Sequence, residues 1–441
     1  MSTSIQEPPK TFADILKHIG PGLIISAAIV GSGELIMTTK TGAETGFKLL
    51  WFIILGCMIK VFVQLELGRH TLLTGKTTLD ALNDIPGPKP IVSWIVWIWL
   101  LMFIATFFQL SGIVGTISGV FQLAGINLKE LFLAALVTGS CALILLIGRY
   151  RFIERFSTAM VAVFTLFTVV AVFALNWTDY AISFANLAEG FMFKMPDDFT
   201  TAFAAFGIIG VGASELIYYP YWCLEKGYAK YLGPPEDSVE WRQRAEGWMK
   251  VLKTDAWISM VIYTLATIAF YLLGAAVLNG KGLDVTDSTI VSNLSQLYSE
   301  SFGTAGLWVF LVGAFVVLYS TVFIATASNG RLCADLTRLL GFAKLETEDA
   351  RSKAVRIACV ALPAVYFLFY WTIPKPVTLV MIGGVAQAVM LPFLALTAIY
   401  HTNRIQHASL KPQGAENIFL RVSAFLMIAT GVYSAYTKLF H

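Results

Sequence analysis

Residues 31–36 read Gly-Ser-Gly-Glu-Leu-Ile, and residues 212–217 read Gly-Ala-Ser-Glu-Leu-Ile. Four of the six positions are identical, and the two copies lie 181 residues apart. Each copy interrupts a long apolar run. The second begins about five such runs after the first, so it crosses a membrane in the opposite direction. The pattern therefore predicts an internal repeat with inverted topology.

The composition indicates that lipid rather than water surrounds most of the chain. Of the 441 residues, 57% are hydrophobic and 13% are charged, about half the charged share of a soluble domain. With a formal charge of +3 and basic residues scattered between apolar runs, nucleic acid is not expected as a partner. We expect a multi-pass protein of the cell membrane, with the lipid bilayer around it and no obligate protein partner.

Apolar runs bounded by turn signals predict about eleven membrane-spanning helices. These are expected near residues 16–42, 49–68, 91–124, 129–148, 153–175, 199–224, 251–279, 305–330, 354–373, 376–402 and 416–438. The repeat divides the chain into a cytoplasmic tail, a first five-helix repeat, an extracellular connection, a second, inverted five-helix repeat, and a loop with an eleventh helix. The corresponding boundaries are 1–15, 16–175, 176–198, 199–402 and 403–441.

Lysine and arginine collect in alternate loops, and this sets the orientation because cytoplasmic loops hold these residues. The basic loops follow the second, fourth, sixth and eighth predicted spans. A cytoplasmic N-terminus and, for an odd number of spans, an external C-terminus follow. Segment 227–249 carries dense mixed charge, so we expect a solvated loop or surface helix there.

The two Gly/Ser-rich interruptions carry the candidate chemistry. An unwound turn in mid-membrane leaves backbone groups without partners and is tolerated only beside a cavity. A glutamate at that depth is costly against lipid, so Glu34 and Glu215 should face the interior, a cation or a proton. We predict both as metal ligands, although they could instead only join helices through hydrogen bonds. The same ion site is expected to include Ser32, Ser214, Gly31, Gly212 and Ala213.

Other polar residues in the apolar runs are weaker candidates. Gln109 and Gln387 are mid-span amides that could line a path, although hydrogen bonding between helices is their default role. Asn329 and Asp335 close the eighth run, where capping or loop pairing is expected. No HExxH motif, histidine cluster at depth or nucleophile–base pair is visible, so we expect neither an enzyme nor a cofactor.

Over nearly all its spans the chain resembles the Nramp family of divalent metal-ion transporters. The resemblance implies a LeuT-type fold, in which two inverted repeats of five helices are followed by one extra helix, and helices one and six are unwound around the ion at the midplane. The stretches that carry the resemblance are residues 20–23 (Gly-Pro-Gly-Leu), 49–51 through 74–76, 149–156, 325–328 (Ala-Thr-Ala-Ser) and 391–393 (Leu-Pro-Phe).

The sequence departs from the family in the motifs that bind the ion and carry protons. Its Asp-Pro-Gly-Asn motif is here Gly-Ser-Gly-Glu at 31–34, and its Ala-x-x-Met-Pro-His is Ala-Ser-Glu-Leu-Ile-Tyr at 213–218. The thioether ligand, which favours softer metals, is therefore lost from the sixth span. Tyr218 replaces a histidine associated with protons, and Gln109 and Gly112 stand at acidic positions of the third span. This pattern is closer to the Nramp-related magnesium transporters, and it makes Tyr218 a weak path-lining candidate.

The leading hypothesis is a transporter that moves a hard divalent cation, magnesium or manganese, by alternating access and without proton coupling. The divalent cation is the substrate rather than a resident cofactor. One rival keeps the fold and carries an organic or monovalent solute, with one glutamate as a proton site. Another is a membrane receptor or structural subunit that has lost transport.

Overall fold

The computed structural model describes residues 5–147, 150–196, 198–345 and 347–440. Within these ranges the side chains of residues 32, 150–158, 160 and 437–440 are not described. The predicted ligand role of the Ser32 side chain therefore lies outside the described residues, as does Arg149 in the basic loop after the fourth predicted span. All regular secondary structure in the described ranges is helical. The predicted all-α class is confirmed.

Nineteen α-helices follow one another along the described chain, with short π and 3-10 segments between some of them. They are α1 Phe12–His18, α2 Pro21–Ile29, α3 Thr39–Thr45, α4 Leu50–Thr74, α5 Thr78–Asn83, α6 Trp94–Leu123, α7 Glu130–Ile147, α8 Tyr150–Ala174, α9 Phe184–Glu189, α10 Thr200–Ile208, α11 Ala213–Lys226, α12 Tyr228–Leu232, α13 Val239–Leu273, α14 Asn279–Lys281, α15 Ile290–Phe302, α16 Thr304–Leu339, α17 Glu348–Thr372, α18 Pro376–Asn403 and α19 Ala415–Phe440.

Nine helices in the described ranges are long and apolar enough to cross a membrane. Helices α1 and α2, bent by 59° relative to each other, together make a tenth span. A shorter apolar helix, Val161–Trp177, lies in the fifth predicted span. Each predicted span thus coincides with one of these helices.

The seventh span begins earlier than the sequence predicts. Helix α13 starts at Val239 because Ser238 caps it, with the Ser238 hydroxyl accepting the Trp241 N–H at 3.1 Å. Trp241, Ala245 and Trp248 share one helical face and are buried. The second half of segment 227–249 is therefore a helix with one buried face, and the expectation of a solvated loop or surface helix stays a prediction.

In the first span the backbone forms a wider helix, a π-helix, where the sequence predicts an unwound turn. Residues Val30–Thr38 form a π-helix that continues directly into α3. The Thr38 hydroxyl donates to the carbonyl oxygen of Gly33 at 2.9 Å, five residues earlier. The Thr39 hydroxyl bonds in the same way to the carbonyl of Glu34, at 3.4 Å. Side chains thus satisfy carbonyls that an unwound turn would expose, and the helical path is kept.

The sixth span is broken as predicted, but slightly earlier in the chain. Ile209, which follows α10, is extended with ψ 148°, and Gly210 has φ 55°, a left-handed conformation that favours glycine. Helix α11 begins at Ala213. Glu215 therefore lies in the first turn of α11 rather than inside the unwound segment.

The π-helix and the break meet inside the bundle. The π-helix contacts α10, α13 and α16, and α4 packs along α11 and α13. A Cβ atom at Gly33 would lie 2.7 Å from the carbonyl oxygen of Ile208, so glycine is required for this approach. The approach brings Glu34, the next residue, beside the break of the sixth span.

Candidate functional site

The carboxylate of Glu34 reaches from the π-helix to the break in the second repeat. Its side chain is fully buried. Its Oε1 accepts the Gly210 N–H at 3.0 Å and the Thr267 hydroxyl of α13 at 2.9 Å. Among the described residues, its Oε2 has no hydrogen-bond partner. One carboxylate oxygen therefore holds the break, and the other is left for a cation or a proton.

Glu215 supplies a second buried carboxylate on the other side of the break. It lies in the first turn of α11, where the positive end of the helix dipole favours an anion. Its Oε2 likewise finds no partner in the ranges described. A Cβ atom at Gly212 would lie 2.5 Å from this oxygen, so glycine at the helix start leaves room for the carboxylate.

A buried lysine lies beside both glutamates, and sequence reasoning missed it. Lys60 of α4 is fully buried, and its Nζ donates to the carbonyl oxygens of Phe206 and, at 2.8 Å, Ile209. Its charge interacts with those of Glu34 and Glu215. The signal was present, because a charged residue in the middle of an apolar run is costly unless it has a buried partner.

The two mid-span glutamines form a chain of hydrogen bonds that ends at the start of α11. The Gln387 Nε2 donates to Oε1 of Gln109 at 2.6 Å, and the Ser214 N–H donates to Oε1 of Gln387 at 2.9 Å. The Ser214 hydroxyl points to the sulfur of Met102 at 3.9 Å. The amides thus join the third, sixth and tenth spans and satisfy one freed backbone amide. This is the default role predicted for them.

Tyr218 hydrogen-bonds to Asn329 of α16. Its hydroxyl donates to Oδ1 of Asn329 at 2.6 Å, and Nδ2 of Asn329 donates to the hydroxyl of Tyr366 at 3.3 Å. Asn329 is fully buried within α16, which continues to Leu339. The expectation that Asn329 caps the end of the eighth span or pairs with a loop is therefore wrong, because that span is longer than predicted.

Two of the remaining predicted positions have a packing role. A Cβ atom at Gly31 would lie 2.0 Å from the Thr321 hydroxyl oxygen, so this glycine allows the π-helix to contact α16. Ala213 begins α11 and is buried. The described residues include no group of three or more His, Cys, Asp or Glu side chains that could hold a metal. A cation at the two glutamates would need backbone, hydroxyl or water oxygens as well.

Polar contacts close the bundle on the side of the basic loops. Asp255 of α13 accepts the N–H groups of Gly20 at 2.8 Å and Gly22 at 2.7 Å, together with the Tyr219 hydroxyl at 3.1 Å. The Tyr221 hydroxyl donates to Asp335 at 2.7 Å. These bonds tie the start of the first span and the second half of the sixth to α13 and α16.

The opposite side is closed by a largely buried lysine. Nζ of Lys40 lies 2.7 Å from Oε1 of Glu44 and 3.1 Å from Oδ1 of Asp284, and it donates to the Val285 carbonyl at 2.9 Å. The Tyr271 hydroxyl donates to the carbonyl of Gly46. These contacts join the α3 end of the first span to residues 284–285 and to α13.

Sequence comparisons point to one family over almost the whole chain. A family model described as natural resistance-associated macrophage protein-like matches residues 22–437. The divalent metal cation transporter MntH of Bradyrhizobium diazoefficiens is 21% identical over 393 residues, covering 87% of this chain and 81% of that protein. MntH of Bacillus subtilis is 30% identical over 167 residues, 37% of each chain.

Solved structures share the fold. A mutant of the Eremococcus coleocola manganese transporter covers 98% of this chain and 90% of its own, with a TM-score of 0.69 and 14% identity. Mhp1, a nucleobase-cation-symport-1 family transporter, covers 98% and 95% at a TM-score of 0.54 and 14% identity. MhsT in complex with L-phenylalanine gives a TM-score of 0.53 at 14% identity, covering 98% and 99%. The predicted LeuT-type fold is confirmed.

Proposed function

The chain belongs to the Nramp family, as its sequence resemblance implied, and we propose that it moves a hard divalent cation, magnesium or manganese, across the membrane by alternating access. It is a multi-pass integral membrane protein. In the proposed orientation the N-terminus is cytoplasmic and the C-terminus external, since lysine and arginine favour cytoplasmic loops. The relatives named as divalent metal transporters support the substrate class.

One observation carries the proposal. Glu34 and Glu215 flank the break of the sixth span, both buried, and each has a carboxylate oxygen without a partner among the described residues. A buried, unpaired carboxylate oxygen is costly, and a cation between the two carboxylates would remove that cost. Oxygen ligands suit hard cations, and magnesium keeps part of its water shell, so two carboxylates, with Ser214 and nearby carbonyls, provide a ligand set of the kind that magnesium prefers.

Proton coupling is not part of the proposal. Gln109 and Tyr218, which stand at the family's titratable positions, are engaged in hydrogen bonds to Gln387 and Asn329. An amide does not titrate, and a tyrosine hydroxyl gives up its proton only at high pH. A proton relay along these residues is therefore not expected.

A second candidate is a transporter of a monovalent cation or an organic cation. Lys60 favours it, because its ammonium offsets one of the two carboxylate charges and leaves a site with a net charge of one. A monovalent cation would neutralise such a site, whereas a divalent ion would leave an excess positive charge in a low-dielectric interior.

Binding and uptake measurements separate these functions. Calorimetric titration of the purified protein with magnesium, manganese and calcium should give a signal that the Glu34→Gln and Glu215→Gln variants lose. Uptake of manganese into proteoliposomes then distinguishes a transporter from a receptor that has lost transport. Absence of both signals, in protein that is folded, would favour the second candidate or the receptor.

A further inference from the structure

The ammonium of Lys60 is a buried charge that the proposed function does not use. Its Nζ donates to the carbonyl oxygens of Phe206 and Ile209. It also lies 4.7 Å from the centre of the Phe206 ring, over its face. Three groups that attract cations therefore surround a single lysine, at the point where α10 stops.

The two carbonyls belong to the end of a half-helix. Such an end carries partial negative charge, and the carbonyls that a break sets free are groups to which discontinuous-helix transporters bind small cations. The Ile209 carbonyl is freed because Ile209 leaves the helical conformation. The carbonyls of Phe206 and Ile209, which we name the carbonyl cradle, thus have the chemistry of a monovalent-cation site.

We propose that Lys60 is a tethered cation, whose ammonium takes the place of a free monovalent cation in the carbonyl cradle. The break of the sixth span is then held without a bound sodium or potassium ion. One consequence rests on the proposed function, namely that the divalent cation at Glu34 and Glu215 is transported without a monovalent co-substrate.

The partners on the other side of the break support this reading. The Gly210 N–H, which the break sets free, donates to the Glu34 carboxylate. The carbonyl cradle accepts from Lys60, so charged side chains of the first repeat bind both the freed donor and the freed acceptors. Burying an ammonium is costly, and apolar side chains of similar volume often replace buried charges without loss of stability. Lys60 therefore supplies something that packing alone does not, namely a positive charge at the cradle.

The test measures whether an empty cradle accepts a free cation. Purified parent, Lys60→Met, Lys60→Arg and the exposed control Lys250→Met are unfolded by heat in sodium, potassium or choline chloride at equal ionic strength, without divalent cations. Choline is too large for two converging carbonyls. We expect Lys60→Met to melt several degrees higher in sodium or potassium than in choline. The parent, Lys60→Arg and Lys250→Met should show no such difference.

A purely structural lysine would give a different result. Lys60→Met that folds, and melts at the same temperature in all three salts, would overturn the proposal. Should Lys60→Met not fold, Lys60→Gln, which keeps a donor but no charge, provides the same comparison. Manganese uptake by the parent must also be equal in sodium and choline, and a sodium requirement would contradict the tethered cation. Failure of the parent to bind any divalent cation would refute the proposed substrate while leaving the salt response of Lys60→Met intact.

Discussion

The Oε1 atom of Glu34, in the first repeat, accepts the N–H of Gly210, in the break of the second repeat, at 3.0 Å. The contact joins residues 176 positions apart and links the first Gly/Ser-rich segment to the break that precedes the second. Because Oε1 of Glu34 is engaged, its Oε2 remains for a cation, and Oε2 of Glu215 also has no partner among the described residues. The predictions below follow from this arrangement.

Removing either carboxylate charge should weaken divalent binding. Glu34→Gln and Glu215→Gln keep size and hydrogen bonding, so each should raise the Kd for manganese at least about tenfold, or about 1.4 kcal/mol. The melting temperature should not fall, since a buried amide costs less than a buried carboxylate. Titration calorimetry gives the Kd, and Glu240→Gln, at an exposed position, is the matched control. Parent-like transport by both variants would make the glutamates hydrogen-bonding groups only.

Replacing the thioether that contacts Ser214 should leave transport of hard cations unchanged. Met102 contacts Ser214 through its sulfur at 3.9 Å, so it is the thioether that could replace the one missing from the sixth span. Met102→Leu conserves volume, and we expect uptake of magnesium and manganese within about twofold of the parent. A large loss of manganese uptake, with magnesium spared, would show that the thioether binds the ion and that the site prefers softer metals.

An imposed pH gradient should not drive metal uptake. The hydrogen bonds of Gln109 and Tyr218 leave no titratable relay along the positions that the family uses. Manganese uptake into proteoliposomes should therefore be the same with an acidic exterior as with equal pH on both sides. Metal-dependent acidification of the lumen, absent from protein-free liposomes, would contradict this expectation.

The ion pair between Asp80 and Arg338 should stabilise the contact between α5 and α16 only above strongly acidic pH. Their side chains meet at 2.7 Å. Burial alone would raise the pKa of Asp80, but the hydrogen bond and charge of Arg338 outweigh it and hold this pKa below its ordinary value of 3.8. A lowered pKa means that the stabilisation is complete above 3.8 and is lost as pH falls through the folded value.

The Asp80→Asn variant tests this pH dependence. Because the pair is partly exposed, its loss should cost less than about 1 kcal/mol at pH 7. The melting temperatures of parent and variant should converge at the acidic end of a titration. Asp84→Asn, which removes an exposed partner of Lys76, is the control. A difference between parent and Asp80→Asn that persists unchanged at the lowest pH would exclude the ion pair as its cause.

The sequence alone could predict the spans and the two glutamates, because both depend on local patterns. A run of apolar residues and a repeated Gly/Ser-Glu segment are visible without tertiary structure. Lys60, Thr267 and Asp255 were missed because each is a single polar residue whose partner comes from a distant helix. Only the fold reveals these partners, which are backbone groups freed at helix ends for Lys60 and Asp255 and the Glu34 carboxylate for Thr267.

The form of the first span could not be predicted for a similar reason. The sequence shows glycines that weaken a helix. Whether the backbone unwinds or forms a wider π-helix depends on which donors hydrogen-bond to its carbonyl oxygens. The hydroxyls of Thr38 and Thr39 lie within reach only in the π-helical geometry. The early start of α13 likewise depends on the Ser238 cap and on the packing of Trp241, which composition alone does not indicate.

The central claim is that a divalent cation sits between Glu34 and Glu215. Its most direct test is a crystal or cryo-cooled complex of the protein with manganese, in which anomalous scattering locates the ion. The account predicts one anomalous peak within coordination distance of the Oε2 atoms of both glutamates, lost in Glu34→Gln and Glu215→Gln. A peak elsewhere in the bundle, or a peak that both variants retain, would contradict it.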